Sequence, residues 1–126
     1  MSVDQKALFD YKALESEFER AAVAELAALF LEETADCLTL LKRELEAKNT
    51  EGIRSLAHKM RGGCRSISSS SVEKTCRRLE RACMPPDFAD PSTDFADWPH
   101  IEDLVSTLSL QCKSLFTIIQ EYLNTK

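Results

Sequence analysis

Residues 51–83 have the sequence EGIRSLAHKMRGGCRSISSSSVEKTCRRLERAC. This stretch places apolar side chains at helical spacing on both sides of a serine-rich break. Apolar residues recur every three or four positions before the break, which predicts an amphipathic helix that starts near residue 51. Serine side chains compete with helical backbone hydrogen bonds but cap helix starts well, so a turn is predicted at 66–71. A second helix then begins near Ser71. The apolar positions of the two helices are Ile53, Leu56, Ala57, Met60, Cys64, Ile67, Val72, Cys76, Leu79 and Cys83.

Further amphipathic segments flank this pair of helices. A long pattern covers residues 21–47, and a short helical segment near 10–18 precedes it, with Asp10 as a possible N-cap. Thr50 can cap the helix that follows the long pattern, and a last helix is predicted over 101–123. No segment shows the alternation of a strand. The expected fold is all-α, an up-and-down four-helix bundle with an additional short N-terminal helix.

Residues 84–99 differ from the rest of the chain because they contain all 4 prolines and no basic residue. Proline interrupts helices, so we predict an acidic, proline-rich loop. Contacts of Phe88, Phe95 and Trp98 are expected to order it in part. The full length of 126 residues is that of one domain, and we expect residues 1–126 to form a single helical domain.

Composition and charge exclude several classes of protein. Hydrophobic residues make up 44% of the chain, yet they nowhere form the run of about 20 that a membrane span requires. The N-terminus lacks the apolar core of a signal peptide, so we expect a cytoplasmic protein. A net charge of −5 argues against nucleic acid as a partner. Residues 51–83 are nevertheless basic, with 8 basic and 3 acidic side chains, which predicts a local anionic partner.

The cysteines predict neither a disulfide framework nor a metal site. Their number, 5, is odd, they form no C-x-x-C pair, and most occupy apolar positions of the helical patterns. We therefore expect buried, reduced thiols. Together with His58 they match no common zinc-binding spacing, and no bound metal is predicted.

His58 lies off the apolar stripe of its helix. Positions three, four and seven residues later share its side of the helix, and these are Arg61, Gly62 and Arg65, while Arg54 lies one turn before. Metal binding would require a ligand where Gly62 stands, and no carboxylate lies in register to orient a general base. A phosphoryl acceptor needs an exposed ring nitrogen, nearby cations and clearance, all of which this side supplies. A surface histidine without a role is the alternative.

Gly62 and Gly63 interrupt this predicted helix, although the chain has only 3 glycines. Glycine within a helix costs about 0.8–1 kcal/mol relative to alanine, so another factor has to account for the pair. Helix termination is one explanation, although the apolar stripe continues to Ile67. Close approach of a partner to His58 is the other explanation.

These residues resemble the signature of the histidine-containing phosphotransfer (HPt) domains of multistep two-component phosphorelays. No gap is required across residues 57–80, and an F-L-E-E segment at 30–33 resembles the opening of the family's second bundle helix. The matching residues are Ala57-His58, Met60, Arg61-Gly62-Gly63, Ile67, Val72, Cys76 and Leu79-Glu80.

The resemblance implies that His58 is phosphorylated on ring Nε2 and that Arg61, where the family usually has lysine, steadies the phosphoryl group. Gly62 would leave room for a receiver domain. The receiver would also contact three cations near the histidine, namely Arg54, Lys59 and Arg65.

Response-regulator receiver domains and a hybrid sensor histidine kinase are the implied partners. The chain would be a monomeric phosphocarrier rather than an enzyme, and it would need no cofactor because Mg²⁺ belongs to the receiver. An adaptor that binds receivers without accepting phosphate is the alternative. A further stripe of cations, Arg77, Arg78 and Arg81, is either a docking surface or a solvated face.

Overall fold

The structure, a computed structural model, describes residues 5–87 and 94–125 of the chain. Within these ranges there is no strand, and the all-α prediction is confirmed. Each long helix packs against the next along the chain, and the last packs against the first to close a four-membered ring. The helices are α1 (Gln5–Leu8), α2 (Tyr11–Glu15), α3 (Arg20–Glu46), α4 (Thr50–Ser66), α5 (Ser70–Ala82) and α6 (Trp98–Asn124).

The core lies at the centre of this ring and contains side chains from all four long helices. The apolar residues predicted for α4 and α5 are buried, except Leu56, which is half-buried. Complete burial of a leucine or isoleucine side chain contributes about 1.5–3 kcal/mol. The largest aliphatic side chains buried within the long helices are Leu41, Ile53, Leu79, Ile101, Leu108, Leu115 and Ile119. No helix within the described ranges is long and apolar enough to cross a bilayer.

The N-terminal segment forms two short helices where one was predicted. α2 begins as expected, since the Asp10 side chain accepts a hydrogen bond from the Ala13 N–H at 3.2 Å, but it ends at Glu15. α1 was not predicted because four residues are too few to show helical periodicity. Leu8 and Phe9, which are each 1% exposed, hold it against the bundle. Tertiary packing stabilises such short helices, since isolated ones do not persist in water.

The start of α6 also differs from the prediction, because the helix begins at Trp98, inside the segment assigned to the loop. The side chain of Asp97 caps it by accepting a hydrogen bond from the His100 N–H at 3.2 Å. Pro99 is compatible with the first helical turn because the N–H groups there have no intrahelical partner. The predicted ordering contact of Phe88 lies outside the described residues.

A further correction concerns the cap of α4, which is Asn49 and not Thr50. The Asn49 side chain accepts a hydrogen bond from the Gly52 N–H at 3.2 Å. Thr50 is the first helical residue. Lys48, the residue before Asn49, has a left-handed backbone with φ 51°. The chain reverses at Lys48, which leaves Asn49 as the last residue before the helix.

A second left-handed residue, Ser68, ends α4 with φ 57°. The Ser68 N–H donates to the Arg65 carbonyl at 3.1 Å, and the Ser69 N–H donates to the Cys64 carbonyl at 2.8 Å. This pair of bonds is the Schellman motif, in which glycine is the favoured left-handed residue. The α4–α5 turn therefore carries backbone strain that a glycine would relieve.

We expect Ser68→Gly to raise the free energy of unfolding by about 1 kcal/mol, because a left-handed L-residue costs about 1–2 kcal/mol and the flexibility of unfolded glycine offsets part of the gain. Urea denaturation measures the change. The matched control is Ser66→Gly, within α4, which should lower the stability by about 0.5 kcal/mol. A less stable Ser68→Gly protein would contradict the strained turn.

Candidate functional site

His58 lies on the side of α4 that faces α5, and 63% of its side chain is exposed. Its Nδ1 atom lies 2.9 Å from Oε2 of Glu80 on α5. The same Nδ1 atom lies 3.3 Å from Nη2 of Arg61. Among the described residues, no group forms a hydrogen bond with Nε2. One ring nitrogen is therefore held by the protein, and the other is available to a partner.

The two contacts of Nδ1 require different tautomers of the ring. Nδ1 donates to Glu80 only when it carries a hydrogen, and it accepts from Arg61 only when it does not. We assign the hydrogen to Nδ1, because the Glu80 contact is the shorter one and has a carboxylate as its acceptor. Nε2 then carries a lone pair, which makes it the nucleophilic atom of the ring.

Glu80 is the site residue that sequence reasoning missed, since no carboxylate was expected in register with the histidine. α4 and α5 form an antiparallel hairpin, so residues at equal distances from Ser69 meet. His58 and Glu80, 22 residues apart, and Arg65 and Glu73, 8 apart, are both centred on this serine. The serine run was the signal that could have found the pair, but spacing rules within a single helix do not cross a turn.

Carboxylates pair with the three arginines that were predicted to surround His58. Arg61 is 23% exposed, and its Nη1 atom lies 3.4 Å from Oε1 of Glu80. The structure therefore brings His58, Arg61 and Glu80 together in one cluster. The other two pairs lie to either side of it, Arg65 with Glu73 at 2.8 Å and Arg54 with Glu51 at 3.9 Å.

Lys59 is exposed, and within the described part of the chain it has no ion pair. Its charge acts on Cys37 of α3, where it partly offsets the rise in the thiol pKa that burial causes. Lys59 is therefore on the α3 side of α4, away from the cluster that contains Glu80. The exposed surface of α4 between Lys59 and His58 is named here the crest of α4. A partner that contacts both residues has to cross this crest.

Gly62 occupies this crest, and helix termination explains neither it nor Gly63, because α4 continues to Ser66. Neither glycine has a positive φ. A Cβ atom at position 62 would have no heavy atom within 4 Å, and one at position 63 would meet the Phe30 ring at an ordinary 3.5 Å. The fold itself would accept alanine at both positions. Bare backbone beside His58 is thus a feature that folding does not require.

A shallow groove of about 120 Å³ lies between α3 and α4, beside Gly63. Leu26 and Leu29 of α3 contribute to its walls, together with Gly63 and Ser66 of α4. Leu29 is 50% exposed. The crest of α4 therefore has an apolar flank on its α3 side and a charged flank on its α5 side.

The cysteines are all buried and free, as the apolar pattern predicted. Burial raises the pKa of the Cys83 thiol to about 11 and that of Cys112 to about 12. Such thiols stay protonated at neutral pH and are poor nucleophiles. Within the described ranges, no group of His, Cys, Asp and Glu side chains is arranged to hold a metal ion.

The family model for the Hpt domain matches residues 25–111, which is more than half of the chain. The chain therefore belongs to the Hpt domain family. Members of this family are phosphocarriers in two-component signalling, where they work with receiver domains and histidine kinases. No curated protein and no solved structure matches the chain significantly.

Proposed function

We propose that this chain relays a phosphoryl group between the aspartates of receiver domains, with Nε2 of His58 as the acceptor atom. One observation carries the proposal: Glu80 holds Nδ1 at 2.9 Å while the ring remains 63% exposed. This arrangement fixes the tautomer and leaves the nucleophilic nitrogen accessible, which are the two requirements of a phosphoryl acceptor.

In the transfer, the Nε2 lone pair attacks the phosphorus of an aspartyl phosphate. The bond from phosphorus to the acyl oxygen breaks, and its electron pair remains on the receiver carboxylate as the N–P bond forms. The hydrogen on Nδ1 stays in place, so no proton has to leave and the phosphorylated ring becomes cationic. Glu80 stabilises that positive charge across its hydrogen bond. The reverse step passes the group to a second receiver and restores the imidazole.

Arg61 has two tasks in this proposal. Its Nη1 atom lies 3.4 Å from Oε1 of Glu80, which keeps both side chains beside the ring. A guanidinium group has five N–H donors, so the remaining donors can bond phosphoryl oxygens. Arg54, one turn before His58, and Arg65, two turns after it, attract an acidic receiver pocket at longer range. The receiver contributes Mg²⁺ and the other catalytic groups.

The receiver docks on the crest of α4 in this proposal. Gly62 allows its backbone to approach the ring, and the groove beside Leu26 and Leu29 accepts apolar side chains. Lys59 contacts the receiver from the α3 side. Apolar contact at the centre with charged groups around it is the usual organisation of a protein interface.

Label transfer from a receiver domain tests the proposal. A panel of isolated receivers is phosphorylated with radioactive acetyl phosphate and mixed with the chain in the presence of Mg²⁺. We expect at least one receiver to yield an acid-labile, base-stable label on the peptide that contains His58. Binding of receivers without any label would instead identify the chain as an adaptor.

We expect Glu80→Gln to slow transfer to His58 about ten- to hundredfold. The substitution removes the charge that faces the cationic ring, and a hydrogen bond to a charged group contributes about 1.5–3 kcal/mol, where each 1.36 kcal/mol is a factor of ten in rate. Single-turnover label transfer at saturating receiver measures the effect. The matched control is Glu73→Gln on the same helix, which should change the rate less than about threefold. Wild-type transfer by the Glu80→Gln protein would remove Glu80 from the mechanism.

A further inference from the structure

Helix packing separates the charges of the bundle into two sides. The neighbouring helices α4 and α5 carry eight basic and three acidic residues. The neighbouring helices α3 and α6 carry four basic and nine acidic residues. Because each pair forms one side of the ring, the molecule has a basic side, which contains His58, and an acidic side.

Three cations of α5 have no carboxylate partner within the described ranges. Lys74, Arg78 and Arg81 are exposed residues of α5, spaced four and three residues apart, and they form one line along the helix. We name these three residues the α5 basic strip. The other arginines of α4 and α5 differ from them because each has an acidic partner, as the pairs of Arg54, Arg61, Arg65 and Arg77 show.

Among the described residues, no ion pair and no buried contact accounts for the α5 basic strip, although Arg81 lines a cavity with Asp87 and Asp97. Like charges three or four residues apart destabilise a helix by roughly 0.2–0.5 kcal/mol per pair, and α5 has only 13 residues. The opposite, apolar side of α5 supplies its core contacts through Val72, Cys76 and Leu79. The strip therefore weakens the isolated helix slightly and contributes no buried contact in return. Binding of an anionic partner would offset the repulsion among these three cations and make their presence on one side of α5 favourable.

The strip adjoins the surface around His58, because Arg81 directly follows Glu80, the partner of His58, in the chain. Arg77 and Arg65 share the Glu73 carboxylate, at 3.1 Å and 2.8 Å, so a bridge of charged side chains joins α4 to α5. A helix with its side chains is about 10–12 Å across, close to the Debye length of about 8–10 Å in physiological salt. A partner that docks over His58 therefore experiences the field of the strip.

We propose that the α5 basic strip is a second docking surface for the receiver domain, where it attracts acidic side chains on the rim of the receiver's active-site pocket. This inference rests on the proposed function. The strip steers the encounter, so it raises the association rate constant and leaves the chemical step at His58 unchanged. Continuity with the His58 side favours this occupant over a separate anionic partner.

Two triple variants that lose the same charge test the inference. The strip variant is Lys74→Gln/Arg78→Gln/Arg81→Gln, and the control is Lys42→Gln/Arg43→Gln/Lys113→Gln on the acidic side. Stopped-flow mixing with a receiver that labels the wild-type chain gives association rate constants over a range of salt concentrations. We expect the strip variant to associate about three- to tenfold more slowly at low salt, with a smaller salt dependence. The control should stay within about twofold of wild type.

The transfer rate at saturating receiver should be the same in all three proteins, and thermal unfolding should show both variants folded. Equal association rate constants for the strip and control variants would overturn the inference, and so would a strip variant that loses transfer rate at saturation. Failure of the proposed function has a different signature, since the wild-type chain would then accept no phosphate from any receiver.

Discussion

We expect His58→Gln to take up no label from a receiver that phosphorylates the wild-type chain. Glutamine is polar and similar in length, and the position is 63% exposed, so the bundle should keep its stability. The amide nitrogen of glutamine has no nucleophilic lone pair, and the loss should exceed about a thousandfold, a difference in activation free energy above about 4 kcal/mol. Quantitative label transfer with a common receiver measures it.

The chain supplies its own control for this prediction, because it has 2 histidines. His100 is exposed near the start of α6, and within the described residues its ring has no carboxylate partner. His100→Gln should therefore transfer at the wild-type rate. Label on the His58→Gln protein, or its loss from His100→Gln, would reject His58 as the acceptor.

Gly62→Gln should slow phosphoryl transfer about ten- to a hundredfold. It should also raise the free energy of unfolding of the bundle by about 0.5–1 kcal/mol. The stability rises because glutamine is a better helix former than glycine and the space around position 62 is open. In the proposed complex, transfer should fall because a side chain on the crest of α4 would enter the space of the docked receiver, and overpacking of a close-packed protein core costs about 1–3 kcal/mol.

Opposite changes in stability and transfer are the signature of this second prediction. Urea denaturation and single-turnover transfer measure the two effects on the same protein. Gly62→Ala provides the graded comparison, with a similar gain in stability and a smaller loss of transfer. Unimpaired transfer by Gly62→Gln would show that clearance beside His58 is not the role of this glycine.

Hydrophobic periodicity alone was enough to predict the long helices, because the buried positions of a bundle helix recur at the helical period whichever helices it packs against. It was weak where a helix is too short to repeat, as in α1, and where capping decides the boundary. Asn49 and Thr50 are both acceptable caps by type. The left-handed turn at Lys48 decides between them, and the sequence did not predict this turn because it contains no glycine.

Some features of the candidate site could likewise be predicted from the sequence, and others required the packing of the helices. The exposure of His58 and the clearance at Gly62 follow from positions on one helix, so their spacing in the sequence was sufficient to predict them. The partner of Nδ1 is on another helix, and the register of α4 against α5 was required to find Glu80. The same register pairs Arg65 with Glu73, a contact that spacing within α4 alone does not reveal.

By itself, the sequence determined which residues form the long helices, which side of each is apolar, and that an imidazole with a neighbouring glycine lies outside the core. These are local properties, set by side-chain chemistry and the helical period. Only the tertiary structure decided which ring nitrogen is free, which cations of the described ranges lack a carboxylate partner, and that acidic and basic helices occupy opposite sides. Those properties depend on distances between residues far apart in the chain, and such distances exist only after the helices have packed.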